Sequence, residues 1–306
     1  MNYISSQSDS RAIGALLFGA VCLSFAPIFV KMLNNLGMGP TAIGFWRTLL
    51  GAVILFVWTV IIRQRIAIPW VVMRWTIAAG FLFSLDLYCW HKSILYSGAG
   101  MATILANTQI FSVTILGFFI FKERLRPRFI VAATAAIAGV TLLIGVGSDF
   151  VFSSTYLNGI ILGLLTGLVY AHYLVVLKLA GHERQSPAGG GSGFICLMAW
   201  TSLSSAFFLG LTTFVDKSEA MLPPNLQALL YVALLAFVVQ ALGWWVISFS
   251  LPKIAASRSG LGLLLQPVLA TIWSVIFFNE HLGPIQLIGA VITLSAIYVG
   301  SVRKNS

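Results

Sequence analysis

The side chains in this sequence that are best suited to chemistry are polar residues inside long apolar segments. Asp86 and Arg47 each lie several residues within such a segment. An isolated charge is costly in an apolar environment, so each of them needs a partner or a function. An ion pair between the two is one expectation. Recognition of an amine and exchange of a proton are the other roles that stay open for Asp86.

Amide side chains occur deep inside other apolar segments. Asn107 and Gln109 lie in one segment, Gln240 in a second and Gln266 in a third. A buried amide needs hydrogen-bond partners, so tight packing of small residues does not account for these positions. Trp244 follows Gln240 by four residues and shares its helix face. We therefore expect these side chains to border a polar cavity inside the protein.

Aromatic residues accompany the polar ones. Trp90 lies four residues after Asp86 on the same helix face, either in an interfacial aromatic belt or in a pocket wall. His91 is next to it, and is either a hydrogen-bonded structural histidine or a group at the mouth of a cavity. Tyr170, His172 and Tyr173 form a cluster that lies deeper than belt residues usually do. We expect at least one aromatic residue of this last cluster to line the cavity.

Ten apolar segments carry these residues. The chain is 59% hydrophobic and 8% charged, with a mean hydropathy of +0.96, and this composition is typical of an integral membrane protein. Each segment has about the 20 residues that a helix needs to span a bilayer. We number them span 1 to span 10, and they cover residues 12–33, 41–62, 71–95, 98–121, 128–147, 156–178, 193–214, 225–249, 257–279 and 283–302.

The net charge of +10 reflects membrane topology and not nucleic-acid binding, because the basic residues lie between the apolar segments. Most of the 18 Lys and Arg residues fall at the ends that share one side with the N-terminus. The positive-inside rule then predicts that both termini are cytoplasmic. The predicted location is a plasma membrane, such as the inner membrane of a bacterium.

The second half of the chain repeats the first. The stretch from Gln109 to Pro127 matches the stretch from Gln266 to Pro284, and Glu123 in the first matches Glu280 in the second. We expect two repeats, at residues 12–147 and 156–302. Five spans per repeat is an odd number, so the second repeat enters the membrane upside down. Inverted repeats are typical of carriers, because the two halves can exchange conformations.

Several stretches resemble the EamA family of the drug/metabolite transporter superfamily. They are Phe45-Trp46-Arg47 at the start of span 2, LDLYCWHKSI at 85–94 in span 3, and ATILAN at 102–107 in span 4. The resemblance implies an all-α membrane protein of ten helices in two inverted five-helix repeats. It also implies export or exchange of amino acids, other small metabolites or drugs.

One position departs from the family pattern. Span 4 has Gln109-Ile110 where many members carry a proline, whereas span 9 keeps Gln266-Pro267. Span 4 is therefore predicted to be less kinked than span 9. A separate pattern, Gly159, Gly163 and Gly167 in span 6, predicts close helix packing, either within the bundle or between two protomers.

These patterns together predict a secondary transporter with a cavity formed by spans 1, 3, 4, 6, 8 and 9. Ser24 and Phe25 of span 1 join the cavity candidates. An apolar and aromatic wall with a few amides and one acid suits a small amphipathic metabolite, such as a neutral amino acid. A nucleotide-binding motif is missing from the sequence, so a gradient must drive transport, with or without protons. The chain can act as a monomer or a homodimer.

A non-transporting membrane subunit or a lipid-handling protein is the alternative, and it predicts halves packed together without a cavity. Enzymatic activity is not expected. The sequence shows no nucleophile–base set, no metal-ligand cluster and no nucleotide motif. No cofactor, metal or nucleic-acid partner is predicted. The expected partners are a small-molecule substrate and the lipid bilayer.

Overall fold

The computed structural model describes residues 2–97, 102, 105–122, 127–143, 154–189, 193–215, 221–250, 253–278 and 283–301. Regular structure in these residues is entirely helical. Helices occupy all ten predicted spans: span 1 (Asn2–Ser24 and Ala26–Asn35), span 2 (Pro40–Ile61), span 3 (Trp70–Ser97), span 4 (Leu105–Phe121), span 5 (Pro127–Leu143), span 6 (Ser154–Gln185), span 7 (Phe194–Val215), span 8 (Leu226–Leu234, the π-helical segment Leu235–Gly243, and Trp244–Ser250), span 9 (Ala256–Leu263 and Leu265–Phe278) and span 10 (Pro284–Ser301).

Most of these helices have the length and composition of membrane-crossing segments. Six described stretches, in spans 1, 2, 3, 6, 7 and 8, are long and apolar enough to cross a bilayer. Shorter apolar helices lie in spans 4, 5 and 10. The chain is therefore an all-helical integral membrane protein, as predicted, and the count of ten crossing helices is confirmed in part.

The main contacts between the spans are preserved when the two halves are exchanged. Span 3 packs along span 6, and its counterpart span 8 packs along span 1. Span 4 contacts span 6 as span 9 contacts span 1, and span 3 contacts span 7 as span 8 contacts span 2. Three pairs of equivalent spans, 2 with 7, 4 with 9 and 5 with 10, contact each other directly. Such a pattern is expected of two repeats related by a pseudo-twofold axis.

Span 1 is interrupted at Phe25. The Phe25 backbone N–H donates to Cys22 O at 3.3 Å, an i→i−3 contact instead of the α-helical one. Pro27 favours this break, because its ring clashes with the preceding turn. Trp273 of span 9 holds the interrupted point in place. Its indole N–H donates to Ser24 Oγ at 2.7 Å, and its ring stacks on Phe25 with centroids 4.8 Å apart.

Spans 4 and 9 are both interrupted, at Thr108 and Leu264. The backbone N–H of each donates to the carbonyl three residues before it, at 3.1 Å. The absence of a proline from span 4 therefore does not leave that span straight. In span 4 the Thr108 hydroxyl donates to Leu105 O at 2.6 Å. A threonine hydroxyl that bonds a carbonyl of the preceding turn bends a helix without a proline.

Other equivalent spans differ from each other in regularity. Span 6 is one continuous helix, Ser154–Gln185, whereas its counterpart span 1 is broken at Phe25. Span 3 is a continuous α-helix, Trp70–Ser97, whereas its counterpart span 8 contains the π-helical segment Leu235–Gly243. π-Helical turns are uncommon and occur mostly at functional sites. The two halves thus share a packing pattern but not the same local helix geometry.

The glycines of span 6 allow close packing within the bundle. A Cβ at Gly159, Gly163 or Gly167 would lie 2.5–2.9 Å from side chains of spans 3 and 4. The Gly159 carbonyl also accepts a hydrogen bond of 2.8 Å from Ser93 Oγ. Of the two packing interpretations, the structure supports packing inside one chain. Glu123 and Glu280, the glutamates of the repeat, lie outside the described residues, and the cytoplasmic position of both termini stays a prediction.

Candidate functional site

A cavity lies between the two halves of the chain, near the middle of several spans. It is partly open to the outside, and the space free of protein atoms amounts to about 580 Å³ when the open solvent at its mouth is counted. All six spans expected from the sequence contribute to it, and span 2 adds Arg47. The lining residues are Leu23, Ala26, Arg47, Phe83, Asp86, Leu87, Trp90, Ala106, Asn107, Gln109, Thr166, Tyr170, Val239, Trp244, Gln266 and Pro267.

Asp86 is the acidic residue of this lining. It is only 5% exposed, and no hydrogen bond or direct ion pair joins it to the described part of the chain. Arg47 acts on it electrostatically without direct contact. The expected contact ion pair between these two residues is therefore not formed. Asp86 instead lines the cavity.

Arg47 is held by residues of the opposite half. Its Nη2 donates to Gln240 Oε1 at 3.3 Å, and Gln240 Nε2 in turn donates to Ser202 Oγ at 3.0 Å. The guanidinium also lies over the ring of Phe83, 5.8 Å from its centroid. Gly51 leaves room for Gln240, since a Cβ there would clash with it. Gln240 thus supports the cavity from behind and does not line it.

Several polar atoms of the cavity residues lack a partner. Arg47 Nε, Trp244 Nε1 and Gln109 Oε1 are buried without a hydrogen bond in the described structure. Asn107 and Gln266, two further amides predicted from the sequence, also line the cavity. Buried polar groups are almost always satisfied in folded proteins, so unpaired ones at a cavity indicate sites for water or for a ligand.

Aromatic rings form one wall of the cavity. Trp244 is at the centre of this wall, with ring centroids 5.3 Å from Phe83, 5.9 Å from Tyr170 and 5.1 Å from Tyr173. Tyr170 lines the cavity, as does Trp90 of span 3. Tyr173 is 1% exposed and stacks on Phe83 at 4.8 Å, so it lies behind the wall. Its role in the structure is to fix the rings that face the cavity.

Three more sequence candidates lie away from the cavity. Ser24 and Phe25 are used by the contact with Trp273 that holds the interruption of span 1. His91 is 1% exposed, and its Nδ1 donates to Pro40 O at 2.7 Å. Of the two interpretations offered for His91, the structure supports the hydrogen-bonded structural histidine. These residues position spans 1, 2 and 3 relative to their neighbours.

Sequence reasoning missed other residues of the lining. Phe83 lies three residues before Asp86, and Thr166 lies four residues before Tyr170. Helical spacing places Phe83 on the face of Asp86 and Thr166 on the face of Tyr170, so both could have been predicted from the sequence. Leu23, Ala26 and Val239 carried no such signal. An apolar residue in an apolar span is not distinguishable by sequence from one that faces lipid.

The arrangement defines a class of protein. A bundle of membrane-crossing helices that encloses a polar and aromatic cavity between two equivalent halves is typical of a membrane transporter for small solutes. The family comparison agrees with this class. The EamA-like transporter family matches residues 10–145 and again residues 157–302, so the chain belongs to that family. Members of this family are transporters and not enzymes.

Individual relatives are distant but cover much of the chain. An uncharacterized transporter of Archaeoglobus fulgidus is 25% identical over 95% of this chain and 98% of its own length. A probable amino-acid metabolite efflux pump of Salmonella typhimurium is 24% identical over 66% of this chain and 67% of its own. The threonine/homoserine exporter RhtA of Escherichia coli is 29% identical over 72% of this chain and 68% of its own.

One solved crystal structure has the same fold. It superposes with a TM-score of 0.79, covering 95% of this chain and 96% of the other, at 16% sequence identity. At this identity the likeness concerns the fold alone.

Proposed function

We propose that the chain is a secondary transporter that moves small metabolites, amino acids among them, by alternating access. The observation that carries this proposal is the cavity between the two halves, with unpaired polar atoms on a largely aromatic and apolar wall. A cavity of this kind binds a solute that has both a polar and an apolar part. A neutral amino acid has both.

The packing pattern supports alternating access. Because exchange of the halves preserves the main contacts between spans, the chain can adopt a second conformation in which each half takes the shape of the other. In the two conformations the cavity opens to opposite sides of the membrane. The interruptions at Phe25, Thr108 and Leu264 supply points at which spans 1, 4 and 9 can bend.

The energy source is a gradient, because the sequence contains no Gly-Lys-Ser/Thr nucleotide motif. Export or exchange is the favoured direction, since relatives of this chain are named as efflux pumps or exporters of amino acids and their metabolites. The alternative, a non-transporting subunit or a lipid-handling protein, predicts halves that pack without a cavity. The observed cavity therefore favours the transporter.

Flux into liposomes tests this proposal. Purified wild-type protein should move at least one labelled neutral amino acid faster than protein-free liposomes. Asp86→Asn, Asn107→Ala and Trp244→Ala should each slow that flux, because all three residues line the cavity. Gln227→Ala is a suitable control, since Gln227 is exposed on span 8 and bonds only Tyr231 among described residues. Wild-type flux equal to that of empty liposomes for a full panel of amino acids would contradict the proposal.

A further inference from the structure

The unpaired groups of the cavity point to the part of the ligand that is recognised. We infer that the cavity binds the zwitterionic backbone of an amino acid, with Asp86 accepting from the α-ammonium group and Arg47 donating to the α-carboxylate. This inference rests on the proposed transport function. It adds to that function the charged groups that a substrate must carry and the two residues that select them.

The hydrogen-bonding capacity of the cavity matches this ligand. The unpaired buried atoms of the lining residues are two donors, Arg47 Nε and Trp244 Nε1, and one acceptor, Gln109 Oε1. The carboxylate of Asp86, which has no hydrogen bond to the described residues, is a second acceptor. The donors belong to spans 2 and 8, and the acceptors belong to spans 3 and 4. A carboxylate only accepts hydrogen bonds and an ammonium group only donates them. A zwitterion carries a donor group and an acceptor group, so it can pair with both sets.

The balance of charge disfavours a ligand that carries a single charge. Asp86 and Arg47 are the acidic and the basic residue of the described lining, one of each. A monoamine would leave Arg47 uncompensated, and a carboxylic acid or a phosphate would leave Asp86 uncompensated. Leaving one buried charge without its partner costs several kcal/mol. A ligand with one charge of each sign avoids this cost, because both protein charges then have a counter-charge.

Arg47 is already oriented for this role. Its Nη2 donates to Gln240 Oε1, and its guanidinium carbon lies over the Phe83 ring. An arginine that is fixed at one edge can present its remaining N–H groups to a carboxylate without losing much side-chain entropy. The rest of the lining carries no charge: it consists of aromatic and aliphatic side chains with the polar residues Asn107, Gln109, Thr166 and Gln266. The substrate side chain that contacts this wall is therefore uncharged.

Matched analogues test the inference on the wild-type protein. L-Leucine is compared with 3-methylbutylamine and 4-methylpentanoate, and L-phenylalanine with 2-phenylethylamine and 3-phenylpropanoate. Each compound competes for uptake of the labelled parent amino acid into liposomes. Loss of one charge-assisted hydrogen-bonding group should weaken competition by about tenfold or more, for the amine and for the acid. Analogues that compete as well as the parent amino acids would overturn the inference.

Variants then assign each charge to its residue. Asp86→Asn should weaken competition by the amino acid about tenfold or more. It should not weaken competition by the acid analogue, which has no ammonium group and no longer meets an uncompensated carboxylate. Arg47→Gln should weaken competition by the amino acid and, for the corresponding reason, should not weaken competition by the amine. Arg47→Lys, which keeps the charge but not the planar fork, gives a second variant should Arg47→Gln fail to fold. Arg74→Gln and Lys92→Gln control for charge loss, because both residues lie outside the cavity lining.

The outcomes separate the two claims. If Asp86→Asn weakens competition by the amino acid and by the acid analogue equally, Asp86 acts only on the shape of the cavity. This result overturns the inference, whereas the proposal of amino-acid transport stands. Wild-type protein that moves no amino acid overturns both. Both claims are supported if Asp86→Asn loses only the part of the affinity that depends on the ammonium group. Either Arg47 variant must then lose only the part of the affinity that depends on the carboxylate.

Discussion

Arg47 and Gln240 are joined by a hydrogen bond of 3.3 Å that crosses from the first half of the chain to the second. Both residues are 2% exposed. Gln240 continues the contact to Ser202, so spans 2, 7 and 8 meet around one amide group. A single side chain therefore fixes both the orientation of a cavity charge and the contact between the halves.

Replacement of this amide should destabilise the fold. Gln240→Leu leaves the guanidinium of Arg47 and the hydroxyl of Ser202 short of a partner, at a cost of about 1–3 kcal/mol. The expected result is a lower melting temperature in detergent. Gln227→Leu, on the exposed side of the same span, should change the melting temperature little. Equal shifts for both variants would show that the Arg47–Gln240 bond contributes nothing.

The contact between Ser24 and Trp273 should couple spans 1 and 9. Ser24→Ala removes the acceptor of a 2.7 Å hydrogen bond and leaves the indole N–H of Trp273 unpaired, whereas Trp273→Phe removes the donor. We expect each single variant to lose about 1 kcal/mol of stability. The double variant should lose less than the sum of the two, because the bond can be lost only once. Strict additivity in the four melting curves would refute this coupling.

Gly163 should tolerate no side chain. A Cβ there would lie 2.7 Å from Leu105 Cδ1 and 2.9 Å from Ser93 Oγ, so Gly163→Ala forces spans 3 and 4 away from span 6. The expected loss of stability is about 1–3 kcal/mol. Gly14→Ala is the matched control, since nothing lies within 4 Å of its Cβ position and alanine favours the helix. The melting temperature should fall for the first variant and stay or rise for the second.

Protons should compete with the substrate at Asp86 and not at His91. Protonation of Asp86 removes the negative charge that faces the cavity, so amino-acid affinity should fall as the pH is lowered. Asp86→Asn should abolish this dependence, because asparagine does not titrate. His91 lies outside the cavity lining, and its Nδ1 is bonded to Pro40 O. The pH dependence of the affinity should therefore remain in His91→Asn. Thermal shifts of purified protein with an amino acid, measured across a pH series, give the affinities.

Periodicity and charge were sufficient to predict the fold class and much of the cavity. Asp86, Trp90, Asn107, Gln109, Tyr170, Trp244 and Gln266 are polar or aromatic residues inside apolar spans, and all of them line the cavity. Helical spacing also placed Trp90 beside Asp86. These residues could be recognised in the sequence because a polar or bulky side chain within an apolar segment indicates a structural or functional role.

The remaining errors concern contacts between distant parts of the chain. Arg47 lacks a contact with Asp86 because Gln240, 193 positions away in sequence, binds it instead. His91 follows Trp90 directly, yet it points to Pro40 and not to the cavity. Phe25 stacks on Trp273, a residue of another span. A helix face can be predicted from spacing, but the neighbour that this face meets depends on how ten helices pack together.

The unequal geometry of the paired spans has a consequence for the apparent affinity of the solute on the two sides of the membrane. A break in span 1 but not in span 6, and π-helical turns in span 8 but not in span 3, mean that exchange of the halves does not produce an identical molecule. The two end states of a transporter built this way differ in free energy, so one is more populated at rest. Apparent affinity scales with the fraction of molecules in the accessible state. The half-saturation concentration should therefore differ between the two faces of the membrane, even when the contacts within the cavity are the same.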